Sequence, residues 1–276
     1  MTRTVSVRTV LIALAAYTIA FLFLLPYLEI VLTAVRTPDD LLKPELFPRH
    51  FTLSNFTTLW SGGGLGNNIA VSLEIAGGAT LLALLVAIPA AYYTARHSFR
   101  GRGLFLLLVL ATQMFQPAAM LVGLQREFTG LGWGSATISL VVINAGFNLA
   151  FAVWILNAFF SSIPVELEEA AQVDGLSRLS TLLRITLPLA APGIVTALIF
   201  TFVAAWNEFL VALTLSLGSP ATSRPLPVAI DGYVGAYTTD WGHLFAAGLV
   251  ATVPVIVLFV FIERRLVSGL TAGAVK

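Results

Sequence analysis

Long apolar runs alternate with short polar segments along the chain. A helix needs about 20 apolar residues to cross the ~30 Å hydrocarbon core of a bilayer. Six runs meet or approach that length, at residues 10–35, 69–95, 104–124, 136–160, 194–217 and 244–262. This pattern predicts an all-α integral membrane protein with six transmembrane helices and both termini on the same side. Because residues 1–9 are too short and the following apolar run is too long for a cleavable signal, we expect the first run to be retained.

The composition agrees with this class and excludes several others. Hydrophobic residues make up 58% of the chain, charged residues only 11%, and the mean hydropathy is +0.91. No polar stretch is long enough to bury a core of its own, so we expect one transmembrane domain, residues 1–276, surrounded by membrane lipid. A net charge of +1 does not suggest nucleic acid as a partner. The absence of cysteine rules out disulfides, thiolate metal sites and a cysteine nucleophile.

Lysine and arginine are divided unequally between the two sets of connecting segments. Ten lie on one side and five on the other. Since basic residues are held on the cytoplasmic side during insertion, the richer set and both termini are predicted to be cytoplasmic. The richer set is Arg3, Arg8, Arg96, Arg100, Arg102, Arg178, Arg184, Arg264, Arg265 and Lys276. The poorer set is Arg36, Lys43, Arg49, Arg126 and Arg224.

A polar insert at residues 164–188 separates the fourth and fifth apolar runs, and it is predicted to be cytoplasmic. Its sequence is typical of two short helices. Ser161 or Ser162 is expected to cap the first helix, and Gly175 to end it in a left-handed conformation. Ser177 can cap the second, whose apolar face recurs at helical spacing until Pro188. We therefore predict a pair of cytoplasmic coupling helices between spans four and five.

The charge of this insert bears on what it contacts. It contains four acidic residues against two arginines, Arg178 and Arg184. An amphipathic helix lying on lipid is the alternative interpretation, but such helices are usually rich in lysine and arginine on the polar face. An acidic surface is repelled by anionic lipid, so the composition favours docking of another protein.

The insert also carries a specific motif. Glu-Ala-Ala is followed by two residues, Asp-Gly, nine residues and Ile-x-Leu-Pro, at Glu169, Ala170, Ala171, Asp174, Gly175, Ile185, Leu187 and Pro188. This pattern resembles the EAA loop of permease subunits in bacterial ATP-driven importers. Residues 205–210 and 269–276 are similar to the carbohydrate branch, of the maltose-permease type with six spans. Leu182 departs from the phenylalanine often found in the family, but the position remains apolar.

The resemblance implies a division of labour among subunits. This chain would be a non-catalytic subunit of the bacterial cytoplasmic (inner) membrane that pairs with a second, homologous permease. It would bind two copies of an ATPase and receive solute from an extracytoplasmic solute-binding protein. No cofactor is expected in this chain, because the partner ATPase would bind ATP and Mg. The implied docking residues are Glu169, Ala170, Ala171, Asp174, Gly175, Leu182, Ile185 and Pro188, with Glu169 facing an arginine, the alanines in the ATPase cleft and Gly175 at the bend.

Polar residues within the apolar runs are candidates for a solute pathway, since an unpaired polar group in lipid is costly. Amides can bind sugar hydroxyls, and Phe115, Phe147 or Trp206 could provide an aromatic platform. The same amides also join helices to one another, which is the more common role of an amide within a membrane span. The candidates are Gln113, Gln116, Asn144, Asn148, Trp206, Asn207 and Glu208. Which of them touches solute stays open.

Two other classes of protein compete with this interpretation. An ion- or proton-coupled secondary transporter could use Glu29, Glu74 and Glu208 as a relay, but the sequence shows neither an internal repeat nor clearly broken helices. An intramembrane hydrolase built on Ser135 lacks a recognisable histidine partner. The glycine-rich residues 61–68 lack the Lys-Ser/Thr of a phosphate-binding loop. The solute remains open among disaccharides, amino sugars, polyols and glycerophosphodiesters.

Overall fold

The computed structural model describes residues 7–41, 47–62, 64–132 and 137–273. Ser135 and parts of the glycine-rich segment and C-terminal tail lie outside these ranges. Within them the chain is mostly helical and has no β-strand. The helices are α1 Val7–Ala34, α2 Pro38–Leu41, α3 Ser54–Ser61, α4 Leu65–Arg96, α5 Arg102–Ala111, α6 Pro117–Gly130, α7 Thr137–Ser162, α8 Glu166–Val173, α9 Arg178–Thr181, α10 Leu187–Leu189, α11 Ala191–Trp206, α12 Leu210–Leu215, α13 Leu226–Asp231 and α14 Trp241–Gly273.

Four stretches within the described ranges are single helices long and apolar enough to cross a membrane: Val10–Ala34, Leu65–Arg96, Thr137–Ser162 and Trp241–Val260. Two further stretches are bent pairs. Arg102–Met114 meets Ala119–Gly130 at 96°, and Arg178–Leu189 meets Ala191–Trp206 at 74°. The number of spans is six if each bent pair counts as one.

Two of the predicted runs, 104–124 and 194–217, are not continuous helices in the structure. Gln116 has extended backbone angles, φ −69° and ψ 134°, because the following Pro117 disfavours a helical conformation there and starts α6 instead. The predicted run 194–217 is interrupted after Trp206. Glu208 accepts hydrogen bonds from the amides of Val211 at 2.8 Å and Ala212 at 2.9 Å, which supports a new helix start.

The chain folds into two compact units. The first comprises Met1–Leu65 and Ile230–Thr252, and the second Gly66–Ala229 and Val253–Lys276. In the first unit, Asn55 donates hydrogen bonds to the carbonyl oxygens of Ala34 at 2.9 Å and Arg36 at 3.0 Å. These bonds hold α3 against the end of α1.

The core of the second unit contains many small side chains where α4, α7 and α11 meet. Its fully buried members include Ala87, Ala91, Ala152, Leu156, Phe160 and Ala197. Small residues let helix backbones approach closely, which is the usual basis of helix association in lipid. Gly193 of α11 shows how close this approach is. A Cβ at Gly193 would overlap the Cγ atom of Phe159 in α7.

We expect Gly193→Ala to destabilise the protein by about 1–3 kcal/mol, because the added methyl group forces α7 and α11 apart. Thermal unfolding in detergent measures this effect. Gly146→Ala in α7 is the matched control, since a Cβ there would meet no other atom within 4 Å. Equal melting temperatures for the two variants would contradict the packing described.

Candidate functional site

Residues 164–189 form two short helices joined by a sharp turn. Helix α8 ends in a Schellman arrangement: the Gly175 amide donates to the Gln172 carbonyl at 3.1 Å, and the Leu176 amide to the Ala171 carbonyl at 3.0 Å. Gly175 has φ +90°, a conformation that favours glycine. The Ser177 hydroxyl accepts from the Ser180 amide at 3.3 Å and caps α9. A single left-handed residue thus sets the angle between the two helices.

Two local details differ from the sequence prediction. Neither Ser161 nor Ser162 caps α8, because α7 continues through Ser162 and the Ser162 hydroxyl donates to the Phe159 carbonyl at 2.7 Å. The second helix is also less regular than its apolar spacing suggests. Residues Leu182–Thr186 form a π-helical turn between α9 and α10. Such turns are often found at functional sites.

One side of the insert exposes large apolar residues next to carboxylates. The Val173 side chain is 87% exposed, and Leu179 and Leu183 are also exposed. Glu169, Ala170, Asp174 and Pro188 are exposed as well. Exposed apolar groups rimmed by polar ones are typical of a protein interaction surface. We call this the docking face.

The opposite side of the insert packs within the subunit. Ala171 is only 4% exposed, and Thr181 and Thr186 are fully buried. Leu182 and Ile185 are partly buried. The residues named from the motif are therefore divided between two faces. Ala170 lies on the docking face, whereas Ala171 supports the insert from inside.

The insert also contains a buried carboxylate that the sequence reasoning missed. Glu168 accepts hydrogen bonds from the Arg96 Nε atom at 2.8 Å, the Tyr92 hydroxyl at 2.8 Å and the Thr186 hydroxyl at 2.9 Å. The Arg96 and Glu168 side chains are each 6% exposed. Two consecutive glutamates could have indicated a buried carboxylate, because neighbouring side chains on a helix point about 100° apart. Glu169 faces outward and Glu168 faces inward.

Four of the candidate pathway residues make hydrogen bonds or ring contacts with other residues of the second unit. The Gln113 amide donates to the Phe147 carbonyl at 2.9 Å, and the Asn144 amide to the Leu140 carbonyl at 2.9 Å. The Asn148 amide donates to the Asn144 carbonyl at 2.8 Å. Asn144 and Trp206 are both buried, and Trp206 stacks on Phe202 with ring centres 5.8 Å apart.

The two helix breaks bring the other three pathway candidates together. Gln116, Asn207 and Glu208 line one open cavity of about 430 Å³ with Pro117, Phe209 and Leu210. This volume lies in the range typical of small-molecule sites. Phe115 and Phe147, by contrast, line a separate, mostly apolar cavity of about 410 Å³. Phe209 is thus the aromatic residue placed beside the amides.

Comparison with known proteins gives consistent matches over most of the chain. The family described as "Binding-protein-dependent transport system inner membrane component" matches residues 79–271. The chain is 37% identical to the sulfoquinovosyl glycerol transport system permease protein SmoH of Agrobacterium fabrum, over 92% of this chain and 89% of that protein. It is 33% identical to the trehalose/maltose transport system permease protein MalG of Thermococcus litoralis, over 98% and 97%.

Solved structures show the same fold. A chain of a bacterial ABC transporter involved in alginate import superposes with a TM-score of 0.78 at 19% identity, covering 96% of this chain and 98% of that one. A chain of the methionine transporter MetNI superposes with a TM-score of 0.55 at 16% identity, covering 79% and 99%. The family match and the similar sequences support an importer subunit and not a secondary transporter. The chain belongs to the family of binding-protein-dependent transport system inner membrane components, the non-catalytic permease subunits of ATP-binding-cassette importers.

Proposed function

We propose that this permease forms half of the translocation pathway for a sugar or sugar-like solute and is driven by a separate ATPase docked on residues 164–188. The observation that carries the proposal is the docking face, with Val173 almost fully exposed beside Glu169 and Asp174. Relatives named for sulfoquinovosyl glycerol and for trehalose and maltose support the solute class.

Each docking residue has a proposed role that follows from its exposure. Glu169 is exposed and offers its carboxylate to an arginine of the ATPase. Ala170 allows close approach of the ATPase backbone because its side chain is small. Gly175 fixes the bend after Asp174. Ala171, Leu182 and Ile185 pack mainly inward and hold the helices in place, and Pro188 closes the insert.

The proposed assembly contains a second, homologous permease, two ATPase copies that bind ATP and Mg, and an extracytoplasmic binding protein. The chain would cross the bacterial inner membrane six times, with each bent helix pair as one span and both termini in the cytoplasm. This orientation rests on the ten-to-five distribution of basic residues. It puts the docking face on the same side as the ATPase.

Transport requires the insert, residues 164–188, to shift the equilibrium between two conformations of the transmembrane helices. ATP binding closes the ATPase pair, and the docked loop turns the permease from inward-open to outward-open. Moving such an equilibrium from 1:99 to 99:1 takes about 5.5 kcal/mol of differential binding. The loop must therefore be stiff, and the Schellman turn at Gly175 provides that stiffness.

The solute-facing residues are proposed to be Gln116 and Asn207, which share the open cavity at the helix breaks. We expect Asn207→Ala or Gln116→Ala to weaken solute affinity roughly 2–10-fold, the effect of losing one net hydrogen bond. Concentration-dependent uptake in proteoliposomes measures the change. Asn148→Ala is the control, because Asn148 and Asn207 each donate to the carbonyl four residues earlier, of Asn144 and Val203, but only Asn207 lines the cavity. An equal loss in all three variants would contradict the assignment.

The solute class is tested on the cognate binding protein. Its thermal stabilisation can be screened over disaccharides, amino sugars, polyols, glycerophosphodiesters and amino acids. A shift of melting temperature with one of the first four classes supports the proposal. Stabilisation by amino acids alone would contradict it.

A further inference from the structure

The buried carboxylate of Glu168 joins parts of the second unit that are distant in sequence. It lies on α8, whereas Arg96 and Tyr92 lie on the last two turns of α4, more than 70 residues earlier. Thr186 belongs to the π-helical turn at the other end of the insert. One carboxylate thus holds three separate elements at bonding distance.

Arg96 makes a second connection in the same cluster. Its Nη1 atom donates to the Ile163 carbonyl at 3.0 Å, just after the end of α7, while Nη2 lies 2.8 Å from the Glu168 Oε1 atom. Tyr92 also packs edge-on against the buried Phe160 of α7, with ring centres 5.7 Å apart. The ends of α4 and α7 are therefore fixed to each other and to α8.

The chain itself connects the insert only to α7 and α11. Helix α4 is separated from the insert along the chain by α5, α6 and α7, so a displacement of α8 reaches it mainly through packing and this cluster. A charge-assisted, hydrogen-bonded pair is directional and short, which makes it stiffer than apolar contact alone. The adjacent Glu169 is exposed, so the two consecutive glutamates have different surroundings.

We propose that Arg96 and Glu168 are positioning residues that transmit movement of the docking loop to α4. This inference rests on the proposed docking of an ATPase at residues 164–188. The docking face receives the displacement, and the Arg96–Glu168 pair transmits it to α4, which the insert otherwise contacts through apolar packing around Leu187. Without the pair, the ATPase would still bind and hydrolyse ATP, but solute movement per ATP would fall.

Glu168→Gln leaves the buried Arg96 guanidinium without its counter-charge, and Arg96→Met does the same to the Glu168 carboxylate. Each single variant is therefore expected to lower the melting temperature. The double variant Arg96→Met with Glu168→Met removes both charges, and such replacement of a buried pair is often neutral for stability. The double variant therefore separates transmission from folding. Its ratio of solute transported to ATP hydrolysed is measured in proteoliposomes containing the complete importer.

We expect the double variant to melt above both single variants, although the Tyr92 and Thr186 hydroxyls and the Ile163 carbonyl lose these partners. It should co-purify with the ATPase, while the transport ratio falls about 10-fold. A normal transport ratio in the stable double variant would overturn the proposal, because the pair would then be structural only. Loss of ATPase from that variant would also overturn it, by assigning the pair to the docking surface. Failure of the wild-type chain to retain an ATPase would instead contradict the proposed function itself.

Discussion

Gly175→Pro is expected to abolish coupled uptake while leaving the permease in the membrane. Gly175 has φ +90°, whereas proline is fixed near −65°, so the turn between α8 and α9 cannot form. Proline also lacks the amide that donates to the Gln172 carbonyl. The two helices would then present the docking face at a different angle. Uptake and solute-stimulated ATP hydrolysis in proteoliposomes measure the loss.

A graded series and a matched control sharpen this test. Gly175→Ala keeps the amide but carries the left-handed cost of about 1–2 kcal/mol, so an intermediate loss is expected. Gly218→Pro makes the same change at another left-handed glycine, φ +85°, in a loop predicted to be outside. Its ATPase should co-purify normally. Equal loss of ATPase from the Gly218 and Gly175 variants would indicate general misfolding rather than a docking defect.

Glu169→Lys is expected to have the second large effect, the loss of ATPase association. The carboxylate is exposed on the docking face and is proposed to pair with an arginine. Disrupting a hydrogen-bonded charge pair at an interface costs about 2–5 kcal/mol, and the lysine adds repulsion. The fraction of ATPase that co-purifies with the permease in mild detergent measures the defect.

Glu166→Lys is the matched control for this charge reversal. Glu166 is also exposed on α8 and changes the charge of the loop equally, but it lies outside the motif. A glutamate substituted for the partner arginine should restore binding to the Glu169 variant. Equal defects in the two permease variants would show that only the overall charge of the loop matters.

The spans were largely predictable because lipid requires long apolar helices. The run predicted at 136–160 is Thr137–Ser162 in the structure, and that at 69–95 is Leu65–Arg96. The break at Asn207 was not predictable in the same way. Spans are detected by averaging hydropathy over about 19 residues. The three residues 207–209, between α11 and α12, hardly change that average.

The sequence identified the residues of the candidate site, but it did not show which of their side chains are exposed and which are buried. The motif identifies the insert, yet it does not distinguish Ala170, which is exposed, from Ala171, which is buried. That distinction depends on how α8 packs on α4, a contact between segments more than 70 residues apart. Likewise, the sequence names polar residues within spans, but only the fold separates Gln116 and Asn207, in the cavity, from the buried Asn144.

The most direct test of ATPase docking is site-specific cross-linking of the assembled importer. Because the chain has no cysteine, Val173→Cys introduces a single thiol on the docking face that can carry a photoreactive maleimide. Tyr237→Cys is the control, since Tyr237 is fully exposed in a loop predicted to be outside. We expect illumination to attach the ATPase to the Val173 variant and not to the Tyr237 variant. Attachment of the ATPase at Tyr237, with none at Val173, would contradict docking through residues 164–188.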